Sequence, residues 1–103
     1  MRPVAVHDIK EIEKNKGILD CAMIDEILIQ IIGDGEISMT VFGKLTNDLQ
    51  DYSQLSIIKM LNFDLVNEIK EPGLYMVMTE GITALKFDYS DDVKNMEVRI
   101  SEL

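Results

Sequence analysis

Tryptophan is absent from this chain of 103 residues, and cysteine and histidine occur once each, as Cys21 and His7. A lone cysteine closes no internal disulfide, and with one histidine far from it in sequence there is no metal-ligand spacing and no histidine to activate the thiol. Long apolar runs are missing too. The longest, residues 27–32, is interrupted by Gln30 and is far shorter than the ~20 residues a helix needs to cross a bilayer. No charged segment leading into an apolar stretch opens the sequence, so a secreted or membrane-inserted product is not expected, and synthesis in a cytoplasm is. Basic side chains are scarce, 10 against 19 acidic ones, for a formal charge of −9. Affinity for nucleic acid rests on lysine and arginine displacing condensed counterions, so neither nucleic acid nor a membrane is expected as a partner.

What is present is ordinary for a folded domain: 47% hydrophobic and 28% charged residues, enough for one core without metal or disulfide staples. Residues 1–17 hold four basic and three acidic groups, and residues 18–103 hold six and sixteen. The composition therefore divides into an N-terminal arm, 1–17, and an acidic domain, 18–103. Within the arm, Asp8 and Glu11 are spaced as a capping box and Ile9 and Ile12 lie three apart, which fits either a short helix or an extended arm. Two isoleucines stabilise so short a helix little, so order is expected only where the segment lies on another surface.

From residue 27 onward a period of two takes over. Ile27, Ile29 and Ile31, then Ile37, Met39 and Val41, flank Gly33-Asp34-Gly35, which predicts a β-hairpin. A helix over 20–32 would spread its apolar side chains around the whole wheel and is rejected. Residues 53–70 read two ways. As one helix they align Leu55, Ile58, Leu61, Leu65, Val66 and Ile69, capped by Ser53 and ended by Pro72; as two short strands, 55–60 and 65–69, they turn through Asn62-Phe63-Asp64. Periodicity leaves both open. Residues 74–79, 82–89 and 96–101 then alternate plainly, with Glu80-Gly81 as a two-residue loop, and predict a three-stranded antiparallel meander. Strands at this spacing favour an all-β sandwich or barrel.

The order of these pieces resembles a known group. Residues 37–43, the strand Leu55-Ser56-Ile57-Ile58, the turn Ile69-Lys70-Glu71-Pro72-Gly73-Leu74-Tyr75, Thr79-Glu80-Gly81-Ile82, Leu85-Lys86-Phe87 and Met96-Glu97-Val98-Arg99-Ile100 are similar to small β-sandwich domains of tailed-bacteriophage structural proteins. The pattern covers roughly residues 24–103 and leaves the arm outside. Tyr52 stands where such domains often carry tryptophan, and Glu80-Gly81 where serine-glycine is usual. The resemblance implies an antiparallel β-sandwich, jelly-roll-like, of about seven strands, with 53–70 as strands; an α+β fold with a helix at 53–70 is the alternative.

No catalytic, cofactor-binding or metal site is expected. His7 reads as a solvated or interface histidine and Cys21 as a small buried residue. Asp88, Asp91 and Asp92, and Asp34 with Glu36, offer oxygens to calcium without the loop spacing of an EF-hand, and aspartate's turn-forming habit explains both groups. Gly33-Asp34-Gly35 lacks the Gly-Lys-Ser/Thr of a phosphate loop. Met39, Met76, Met78 and Met96 occupy strand positions that suit core filling.

The resemblance implies a non-enzymatic structural subunit of a phage or prophage-derived particle (capsid decoration, head fibre, tail or baseplate), located in the virion. It would contact other virion proteins or copies of itself, as a homo-oligomer or part of a larger assembly, through edge strands or the arm. The alternative is a small acidic inhibitor or immunity-type protein that occupies a basic site on an enzyme.

Overall fold

Isoleucines at 27, 29 and 31 suit a pleated surface buried on one side. In the computed structural model, which describes residues 5–103, all three are buried on β3 (Glu26–Ile32). The chain before it forms β1 (Ala5–Asp8), α1 (Ile9–Lys14) and β2 (Ile18–Asp20); after it come β4 (Met39–Lys44), β5 (Ser53–Gln54), β6 (Ile57–Lys59), β7 (Asp64–Val66), β8 (Gly73–Met78), β9 (Ala84–Tyr89) and β10 (Glu97–Glu102). A 3-10 turn, Asp91–Asn95, links the last two. Two antiparallel sheets result, one of six strands in the order β1-β10-β3-β8-β6-β7 and one of four in the order β2-β9-β4-β5. The fold is an all-β sandwich. Without β6 and β7, the orders β1-β10-β3-β8 and β2-β9-β4-β5 are those of an eight-stranded jelly roll, and the β6-β7 hairpin widens its first sheet.

The predicted hairpin around Gly33-Asp34-Gly35 is corrected. β3 pairs with β10 and β8, whereas β4 pairs with β9 and β5, so the glycine turn carries the chain from one sheet to the other. The predicted meander is corrected in the same way: β8 and β10 lie in the six-stranded sheet and β9 in the four-stranded one. Thr79, fully buried after β8, ties this crossover to the one between β2 and β3: its N–H donates to Asp25 O (2.9 Å) and its hydroxyl to Ile24 O (2.8 Å). Among the described residues there are ten strands where about seven are expected, and five of them are segments of two to four residues. Residues 53–70 are strands, not a helix.

The expected arm belongs to the sandwich. Val6 pairs with Ser101 and His7 with Ile100, and Ile9 and Ile12 enter the common core. Asp8 caps α1, accepting from Glu11 N–H at 2.9 Å. The helix ends in a Schellman motif, with Lys16 N–H donating to Glu13 O and Gly17 N–H to Ile12 O. Residues 1–4 of the expected arm lie outside the described residues. The surface that orders this segment is the chain's own core. Met39, Val41, Ile57, Tyr75, Val77, Leu85, Phe87, Val98 and Ile100 complete that core from both sheets.

Candidate functional site

Side chains on a strand alternate between faces, so the partners opposite the core residues form the outer face of the six-stranded sheet. The register places Val6, Ser101, Leu28, Met76, Ile58 and Leu65 in one row across all six strands. Five of the six are apolar. Beside this row Leu74 pairs with Gln30, and Met60 N–H donates to Leu74 O; on the other side Met78 pairs with Glu26. On β3, β8, β6 and β7 the outward positions are thus leucine, isoleucine and methionine with Gln30, and Glu26 is the one charge. On β10 and β1 they turn polar, with Glu97, Arg99, Ser101 and Asp8.

The tip of the β6-β7 hairpin adds further exposed apolar side chains at the margin of this sheet. Leu61 is 86% exposed, Phe63 72% and Leu65 70%, and Met78 keeps 53%. Phe63 holds φ +60°, a conformation that bulky residues rarely adopt, with its N–H donating to Lys59 O at 2.7 Å and Asp64 N–H to Asn62 Oδ1 at 3.1 Å. Local turn geometry therefore presents two large apolar side chains to solvent. Exposed apolar surface with a polar margin recurs where proteins meet partners. The free edges are poorer candidates: β1, β2, β5 and β7 are two to four residues long, and short edges resist strand addition.

The residues weighed for chemistry are dispersed. His7 lies between two carboxylates, Nε2 at 2.9 Å from Glu102 and Nδ1 at 3.1 Å from Glu11. Burial opposes its charge, but the hydrogen bonds to Glu102 and Glu11 outweigh burial and raise its pKa above the ordinary value. This pair fastens β1 and α1 to β10. Cys21 is buried, its thiol pushed up to about 11 by burial and then by the charges of Glu102 and Asp20. It is a poor nucleophile there. Asp34, Glu36 and Asp92 border one open hollow at an end of the sandwich, and Asp88 borders another beside Tyr52 and Lys86. Among the described residues no group of three or more such ligands is placed to hold a metal ion. A further hollow lies between Lys59, Val66, Glu68, Lys70 and Tyr75, bridged by the Lys59–Glu71 ion pair. Among the described residues no helix is long and apolar enough to cross a membrane.

The apolar outer face was not read from sequence. Met39 is buried as expected, but Met76 and Met78 point outward, which corrects their assignment to the core. On β8, Tyr75 and Val77 alternate with Leu74, Met76 and Met78, so both faces are apolar and period two cannot say which is inside.

No family model matches the chain, and no curated protein matches its sequence. Among solved structures the fold is similar to the SPBc2 prophage-derived protein YomS, with a TM-score of 0.62 and 13% identity, over 84% of this chain and 78% of that one. At that identity the likeness establishes a shared fold.

Proposed function

We propose that this chain is a non-enzymatic structural subunit of a phage or prophage-derived particle, of the capsid-decoration, head-fibre, tail or baseplate kind, that works through protein–protein contacts and resides in the virion. The observation that carries the reading is the apolar outer face of the six-stranded sheet, together with exposed Leu61 and Phe63 at the β6-β7 tip. Such a face is a liability in an isolated domain and an asset in an assembly. The likeness to a prophage-derived protein supports the phage setting, as does the jelly-roll order of the strands, which recurs in viral capsid proteins, although a fold by itself does not fix a role. The inhibitor reading needs carboxylates gathered at the contact, and the apolar face carries only Glu26.

Mass spectrometry of purified particles tests the proposal. The chain is expected as a component of intact particles in fixed ratio to the other subunits. Its absence from particles, together with a cationic partner whose complex weakens as salt rises, overturns the reading in favour of the inhibitor.

A further inference from the structure

We infer that the outer face of β3, β8, β6 and β7 is the interface of a two-fold homodimer. This rests on the face being a contact surface, as proposed above, and adds its occupant, a second copy of this chain. Three features select that occupant. The row Leu28, Met76, Ile58, Leu65 runs across the four strands, and a two-fold axis lying in the contact plane, along the strands and between β8 and β6, sets it on its own copy in reverse. Leu28 then lies over Leu65 and Met76 over Ile58, with Leu74 over Met60, so apolar side chains meet at these positions, and Gln30 and Glu26 of β3 stand nearer the rim. An isologous contact of this kind is the commonest in homo-oligomers.

The second feature is charge. Each copy carries −9, so association is tolerable only through a face that brings few carboxylates together. The four-strand face meets that condition, and the same axis leaves β10 and β1, with Glu97, Arg99 and Asp8, overhanging the contact. A partner recruited by the acidic surface would need that charge at the interface. The third feature is size. β3 and β8, of seven and six residues, run ~20 Å, and β6 and β7, of three each, ~10 Å, which at ~4.8 Å between strands gives a face of roughly 300 Å², small for a specific dimer and matched to a weak one that forms in the micromolar range. The methionines Met76 and Met78, unbranched and polarizable, let the two surfaces adapt.

Light scattering coupled to size exclusion, on the full chain across the micromolar range, tests this. The expected mass is twice the chain's 11.7 kDa. Leu65→Glu, on an exposed side chain that the fold does not need, is expected to raise the dissociation constant roughly tenfold or more with an unchanged circular dichroism spectrum. Met78→Lys serves as a second variant should Leu65→Glu misfold. A monomeric wild type, or a dimer that both folded variants leave intact, overturns the inference. The outcome is distinct from particle membership: a monomer found in particles removes the dimer alone, and a dimer missing from particles removes the particle role alone.

Discussion

His7 shows how one side chain can join two ends of the chain. A neutral imidazole can donate from only one nitrogen, yet both nitrogens face carboxylates, Glu102 and Glu11, so the protonated form is favoured in the folded state despite burial. Because the folded pKa is raised, the stabilisation is fully present below the unfolded value of 6.5 and is lost as pH rises through the folded value. His7→Gln is therefore expected to lower the urea midpoint clearly at about pH 6 and little at about pH 9; an equal loss at both contradicts the assignment. Gly17 has φ +81°, and an added Cβ would meet Phe87 O at 2.7 Å. Since that oxygen belongs to the β9 backbone, relief is expensive, and Gly17→Ala is expected to cost about 1–3 kcal/mol in denaturant unfolding. Cys21, with its thiol near 11 and its side chain buried, should resist alkylation at neutral pH until the protein unfolds, which peptide mass spectrometry can follow.

At the scale of elements, α1 has only six residues and owes its stability to what it covers. Ile12→Ala should cost about 2–5 kcal/mol, measured by thermal or urea unfolding; a loss under ~0.5 kcal/mol would mean that the segment is an accessory arm after all. The β6-β7 hairpin makes the opposite trade. Phe63 at φ +60° is strained, so Phe63→Gly should stabilise the monomer by about 1 kcal/mol while removing apolar surface from the tip. Legibility in the sequence divides along the same line. The cap at Asp8 and the strands β3, β4, β8, β9 and β10 were readable because spacing reports which side chains share a face, whereas in residues 53–70 periodicity fits a helix and short strands alike. Pairing was not: Gly33-Asp34-Gly35 and Glu80-Gly81 suit a tight hairpin and an arch between sheets equally, and the in-out alternation is identical in both. The fate of residues 5–17 was hidden because Ile9 and Ile12 gain their value from the common core, and α1 packs on β10 and the Asp91–Asn95 turn, which lie far away in sequence. The apolar outer face was hidden because Leu74, Met76 and Met78 resemble core residues in every respect except their side of β8.

At the scale of the whole molecule, an acidic shell and an apolar sheet face act against each other. Net charge of −9 keeps copies apart at low salt, and screening relaxes that repulsion within a Debye length of ~10 Å at 0.1 M. Self-association through the face is thus expected to tighten as salt rises from low to physiological strength, whereas an inhibitor held by its carboxylates would release its partner over the same range. The face would also explain why the edges are so short: assembly directed through side chains is better controlled than strand addition, which is open-ended. Methionine oxidation tests the central claim that this face is covered in the working assembly. Met23 is 99% exposed and Met78 53%, so each chain carries its own control. With dilute peroxide and peptide mass spectrometry on assembled and dissociated protein, Met78 should be protected in the assembly while Met23 oxidises equally in both. Equal oxidation of Met78 in the two states would contradict it.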